Sequence, residues 1–306
     1  MTTFAITPEG AFSLESAANF GFGPNSGRPV VGAGGMRLAF VTDDLGSQAF
    51  VDLTQDADGT VRGEVQSDAQ TDVVRAQVAR ILSLDHSGTE WAAVGDRDAV
   101  LGSLQLAHPG LRPVLFHSPY EAAAWSIISA RRYRAQGTVV RNRLATELGR
   151  VYSTGTEQLF AFPTPERLLE LRQLQGLDET RVERLHVVAR AALDGLLDPA
   201  ALRELPTDEA MERLMKLPGI GPMYGTLILL RSTGLADGVT GAEPRLAGYL
   251  GHFYELGGPA TPEQITGIID AWRPFRTWGS VLVRVAGDRL GLPVPPNAAF
   301  ANRRRG

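Results

Sequence analysis

Between two stretches of amphipathic helical periodicity the chain carries Leu217-Pro218-Gly219-Ile220-Gly221-Pro222. Two glycines separated by one apolar residue allow a tight turn whose backbone N–H groups point outward, and proline suits the first position of the helix that follows. Those N–H groups, with the positive end of the helix dipole behind them, hold an anion such as a phosphodiester without any side chain. Leu217, Gly219, Ile220 and Gly221 are therefore candidate backbone-contacting residues, with Ile220 anchoring the turn in a core. A lone Gly-X-Gly also suits an ordinary helix C-cap. The full six-residue string between two helical patterns favours the hairpin.

A phosphate-binding turn needs a basic surface, and here the charge distribution matters more than the total. The 306 residues carry a net charge of −4, yet residues 1–110 hold 6 arginines against 14 acidic side chains, and the remainder 24 basic against 20 acidic. The second part is the expected polyanion binder, and it ends in Arg303-Arg304-Arg305. Lys216 is the single lysine, a bias that GC-rich coding explains without any chemistry. The absence of cysteine excludes disulfides, thiolate metal sites, cysteine nucleophiles and cysteine-ligated iron–sulfur clusters. No apolar run reaches membrane-span length and Met1–Gly10 has no leader pattern, so a cytoplasmic protein without membrane contact is expected.

The patterning predicts two domains, an α+β unit over 1–110 and an all-α unit over 111–306. In the first, strands are expected from Met36, Gln48 and Thr60, with Asp58-Gly59 as a two-residue hairpin turn, a helix over 14–20 and another carrying Val74, Val78, Ile81 and Leu82. Beyond Leu111 helices are expected over 118–134, 139–148, 165–174, 179–194, 208–217, 222–232, 245–253, 262–271 and 277–288, with no strand. Ser118, Thr164 and Thr261 read as N-caps, each followed by proline. The five histidines show no metal-ligand spacing, and Gly32-Ala33-Gly34-Gly35 lacks the lysine and the strand–helix context of a nucleotide-binding loop.

From Leu111 to about residue 290 four strings recur in order: Pro119-Tyr120-Glu121 leading to Ile127-Ile128-Ser129, Phe162-Pro163-Thr164-Pro165-Glu166, the 217–222 turn, and Trp272-Arg273-Pro274-Phe275-Arg276-Thr277-Trp278. Together they resemble the 3-methyladenine DNA glycosylase II branch of the helix-hairpin-helix DNA glycosylases, whose members also place a β-rich segment ahead of the helices. The resemblance implies a monomeric, monofunctional enzyme of base excision repair. It would flip a damaged, alkylated base from double-stranded DNA and hydrolyse its N-glycosidic bond. It implies no cofactor apart from a monovalent cation bridging hairpin and phosphate.

The matching catalytic position is Glu243, where the family has aspartate; a surface glutamate favoured at the start of the next helix is the alternative reading. Nearby Asp237 reads as a solvated turn residue. Ala130-Arg131 replaces the family's glutamines, and Arg131 either stacks in the gap left by a flipped base or, with Arg132, contacts phosphate. Met223, Tyr224, Trp278 and Arg284 fall on the base pocket, and Arg276 on a phosphate-contacting position. Tyr224 equally suits core packing, Trp272 reads as a helix-junction packing residue, and a cation at Arg284 would repel a cationic base. Met223 stands where bifunctional relatives carry a Schiff-base lysine, so strand cleavage is not expected. Two other outcomes stay open: a DNA-binding protein whose catalytic pocket has drifted, and a glycosylase for neutral or bulky lesions.

Overall fold

The computed structural model describes residues 1–20, 35–155, 157–239 and 245–293. Glu243 and Arg303-Arg304-Arg305 lie outside them.

The N-terminal part is an antiparallel sheet in the order β1-β4-β3-β2, built from β1 (Thr2–Ile6), β2 (Met36–Val41), β3 (Gln48–Gln55) and β4 (Val61–Ser67). Strand β1, which was not expected, alternates buried Phe4 and Ile6 with exposed neighbours. The β3–β4 turn is one residue longer than Asp58-Gly59 predicts. Asp56 and Thr60 still bond through the backbone at 2.9 Å, Asp58 Oδ1 accepts the Thr60 N–H, and Gly59 takes φ +89° as the left-handed residue of a three-residue turn. Helices α1 (Leu14–Ala18) and α2 (Thr71–Ile81) are both expected, and Leu14, Val74, Val78 and Ile81 close one face of the sheet.

The other face is covered by a feature that sequence patterning missed. Strands β5 (Arg150–Thr154) and β6 (Glu157–Ala161) form an antiparallel pair where only helices were expected. Tyr152 and Ala161 pack on Ala39 and Phe50, and Arg37 bonds Asp52 at 2.9 Å and Glu157 at 3.2 Å. Two five-residue strands give too short a period-2 signal to stand out from the flanking helices.

Helices α3 (Gly88–Arg97) and α4 (Ala99–Ala107) precede the expected boundary at 110, yet they share a core with the C-terminal end of the chain. Trp91, Val94, Leu101 and Leu104 pack with α12 (Leu246–Phe253), α13 (Pro262–Asp270) and α14 (Arg276–Arg289). A separate helical core joins α5 (Pro119–Ser129), α6 (Arg134–Glu147), α7 (Pro165–Leu168), α8 (Glu179–Leu193), α9 (Pro199–Glu204), α10 (Thr207–Met215) and α11 (Pro222–Ser232). Ser118, Thr164 and Thr261 cap their helices as expected. None of the described helices is long and apolar enough to cross a membrane.

The Pro-Tyr-Glu string acquires a structural meaning at the sheet–helix junction. Tyr120 is fully buried and donates to the Pro163 carbonyl at 3.0 Å. Glu121, also buried, accepts the Val41 N–H at 2.9 Å and the Arg141 guanidinium at 3.0 Å, with His117 Nδ1 at 3.3 Å. Burial alone would raise this carboxyl, but His117, Arg141 and the Val41 N–H more than offset it and lower its pKa to about 2.

Candidate nucleic-acid interface

The 217–222 segment forms the expected turn. Lys216 caps α10, Leu217 and Ile220 are buried, and the Ile220 N–H closes the turn on the Leu217 carbonyl at 3.0 Å. Pro218 and Gly219 face outward. Gly219 takes φ +92°, a left-handed conformation that favours glycine. Gly221 is the N-cap of α11, with extended backbone at φ −97° and ψ −175°, and Pro222 occupies the first helical turn. Among the described residues the N–H groups of Gly219 and Gly221 find no acceptor. Two donors without an acceptor among the described residues, at a helix N-terminus and held by two buried apolar anchors, have the geometry that backbone anion sites use.

The α5–α6 loop is held by two arginines, one of its own and one from α8. Arg132 donates to the Ile128 carbonyl at 2.6 Å and also to the Gly176 carbonyl. Arg181, at the start of α8, reaches the Ala130 carbonyl at 3.2 Å while paired with Asp178. Burial and then the nearby Arg181 charge lower the Arg132 pKa. The guanidinium of Arg132 is thus committed to fastening the loop. Arg131 takes φ +56°, is exposed, and has no hydrogen bond or ion pair among the described residues. A bulky residue is rarely held in that backbone region without cause, and here the two neighbouring arginines hold it.

The remaining sequence candidates divide between surface and core. Met223 is 55% exposed at the start of α11, and Tyr224 is half-buried against the α5–α11 core. Trp278 is 3% exposed, enclosed by Trp91, Phe275 and His86 at 5.6, 5.0 and 5.7 Å between ring centroids, so its indole belongs to the C-terminal core. Trp272 is fully buried, as a helix-junction residue should be, and donates its indole N–H to Asp98 at 2.9 Å.

Asp237 is not a solvated turn residue. Its carboxylate receives Arg276 Nε and Nη2, both at 2.9 Å, and the Arg276 N–H at 3.2 Å, so it caps α14 and ties the loop after α11 to that helix. Arg276 therefore spends its guanidinium inside the protein. Arg284 is half-buried on α14, one turn before Asp288. Asp288 receives Arg245 Nη1 at 2.9 Å and the Tyr249 hydroxyl at 2.7 Å. Burial alone would raise its pKa, but the Tyr249 hydrogen bond and the Arg245 and Arg284 charges lower it. This pair pins the residue two positions after Glu243 to the last helix.

One residue of this face was missed in the sequence. A β-carbon at position 219 would lie 3.1 Å from Arg184 Nη1 and 3.0 Å from Ile127 Cδ1, so the Arg184 side chain of α8 rests directly on the turn. Its only sequence trace is one arginine among several on an ordinary amphipathic helix. Among the described residues no group of three His, Asp or Glu side chains is arranged to hold a metal.

Comparison with known proteins places this arrangement. No family model and no curated protein matches the sequence. Solved structures do match in three dimensions. A 3-methyladenine DNA-glycosylase from Archaeoglobus fulgidus superposes with a TM-score of 0.74 at 21% identity, over 94% of this chain and 98% of the other. The chain has a DNA glycosylase fold. MBOgg1, solved with a low-affinity DNA ligand, superposes at 0.67 with 18% identity over 95% and 97% of the two chains. An 8-oxoguanine glycosylase/lyase from Clostridium acetobutylicum gives 0.64 with 15% identity over 93% and 96%. At these identities the agreement concerns the fold, from the N-terminal sheet through the last helix.

Proposed function

We propose that this protein is a DNA glycosylase that grips double-stranded DNA by its backbone and hydrolyses the N-glycosidic bond of a damaged base, alkylated bases first. The observation that carries this reading is the 217–222 turn, whose Gly219 and Gly221 N–H groups find no acceptor among the described residues; Arg131, exposed on the α5–α6 loop, likewise has no partner among them. The turn supplies sequence-independent grip on phosphate, and Arg131 stacks in the space that a flipped base leaves.

In the chemical step the bond between C1′ and the base nitrogen breaks, its electron pair leaves with the base, and water adds to the electron-deficient C1′, giving up a proton to the departing base or to solvent. The carboxylate of Glu243 stabilises the developing positive charge on the sugar and orients that water. Downstream of Glu243, the Arg245–Asp288 pair fixes the start of α12 to α14. Met223 supplies no amine and Lys216 lies across the turn on α10, which supports hydrolysis without strand cleavage.

The test is base release from duplexes bearing cationic alkylated, neutral alkylated and oxidised bases, with wild type and Glu243→Gln. Release from at least one duplex, reduced about 10²-fold or more in the variant, is expected for a group stabilising the transition state. Undiminished release removes Glu243 from the mechanism. Duplex binding without release on any lesion identifies a DNA-binding protein instead.

A further inference from the structure

We propose that Arg184 is the side-chain half of the phosphate site whose main-chain half is the 217–222 turn, so that one phosphodiester is held by backbone N–H groups and a guanidinium together. This rests on the duplex-binding reading above and adds a residue that neither the turn motif nor its resemblance to known glycosylases designates.

The first support is position. Arg184 Nη1 and Cδ lie 3.1 and 3.3 Å from where a β-carbon at position 219 would stand, so the half-buried Arg184 side chain lies against the turn at the exposed Gly219, two residues before the N-cap of α11. The missing side chain at 219 is what lets it lie there.

The second support is that Arg184 has no partner among the described residues. The arginines around it are engaged: Arg181 with Asp178 and the Ala130 carbonyl, Arg132 with the Ile128 and Gly176 carbonyls. Arg184 has no hydrogen bond or ion pair among the described residues. Its helical neighbours at three and four residues are Thr180, Arg181, Val187 and Val188, none of them acidic.

The third is electrostatic. Arg184 lies against the turn that leads into the N-terminus of α11 and one helical turn from Arg181, so like-signed groups surround it on both sides. An anion from outside reverses the sign of each of these interactions. A phosphodiester fits, because it offers one charge and several acceptor oxygens to donors converging from the turn and from α8.

The experiment measures equilibrium binding of a fluorescent duplex carrying a stable abasic-site analogue across a salt series. Arg184→Gln is expected to weaken binding about tenfold and to reduce the slope of log K against log salt by about 0.9, the signature of one lost phosphate contact. Arg184→Lys is expected to keep the slope. Arg190→Gln, the same charge change near the other end of α8, is expected to leave both quantities unchanged. In wild type, duplex is expected to slow modification of Arg184 by an arginine-selective dicarbonyl severalfold, a readout that does not depend on how the variants fold. Unchanged slope in Arg184→Gln, an equal fall in Arg190→Gln, or unprotected Arg184 overturns the assignment while leaving duplex binding intact. Absence of salt-sensitive binding by wild type overturns both readings.

Discussion

Gly219 and Gly221 are both glycine for different reasons, and the difference separates folding from binding. At Gly219 the backbone is left-handed and a β-carbon would press on Ile127 and Arg184, so the turn itself requires glycine. At Gly221 the backbone is extended and nothing lies within 4 Å of where a β-carbon would stand. Folding does not demand glycine there; on the proposed function, a phosphate approaching the N–H does. Gly221→Ala is therefore expected to cost about 1 kcal/mol of stability or less, through a poorer N-cap, while weakening duplex binding about tenfold. Gly219→Ala is expected to lower both, with roughly 1–2 kcal/mol of backbone strain. Thermal unfolding and fluorescence anisotropy on the same samples check this. If Gly221→Ala binds duplex as wild type does, no ligand approaches the turn at that point. Both glycines were legible in the sequence, because a turn motif is local. The division of labour between them was not, since it depends on Ile127 and Arg184, 92 and 35 residues away.

At the scale of elements, α5 is the member that joins the sheet to the helices. Every residue from Pro119 to Ile128 is buried, including Glu121, which binds β2 through Val41 and α6 through Arg141. Glu121→Gln leaves the Arg141 charge buried and uncompensated, a change expected to cost about 3–5 kcal/mol. Because the folded-state pKa of Glu121 is lowered from 4.5 to about 2, its contribution is complete above pH 4.5 and is lost as pH falls towards 2. Denaturant unfolding of wild type and variant should show a gap that is constant from neutral pH to about 5 and narrows on further acidification. A gap independent of pH over that window would assign the loss to packing. The sequence marked α5 through its Ser-Pro cap but not its role, for a glutamate in a first turn reads as ordinary dipole chemistry until its burial is known. The β5–β6 pair was missed for a related reason: its strands are explained by the sheet face they cover.

For the whole molecule, chain order and core membership part company. Helices α3 and α4 come before residue 111 in the sequence, yet Trp91, Val94, Leu101 and Leu104 complete the core of α12–α14. A fragment beginning at residue 111 removes all four. Deleting one large buried side chain costs roughly 2–5 kcal/mol, so four deletions reach the roughly 5–15 kcal/mol that stabilises a typical domain. That fragment is expected to lose cooperative thermal unfolding and to bind a hydrophobic dye; a sharp transition at the full-length midpoint would show that 111–306 stands alone. Amino-acid order alone settled what depends on near neighbours: the capped helices, the strands β2, β3 and β4, and the glycine turn. The folded chain decided which charges are committed and which remain available. Arg132 and Arg276 are occupied by Ile128, Gly176 and Asp237, whereas Arg131 has no partner among the described residues and Arg184 is carried onto the turn from another helix. The reason is physical: a guanidinium finds its partners through space, and spacing along a chain does not encode which distant carbonyl or carboxylate will reach it first.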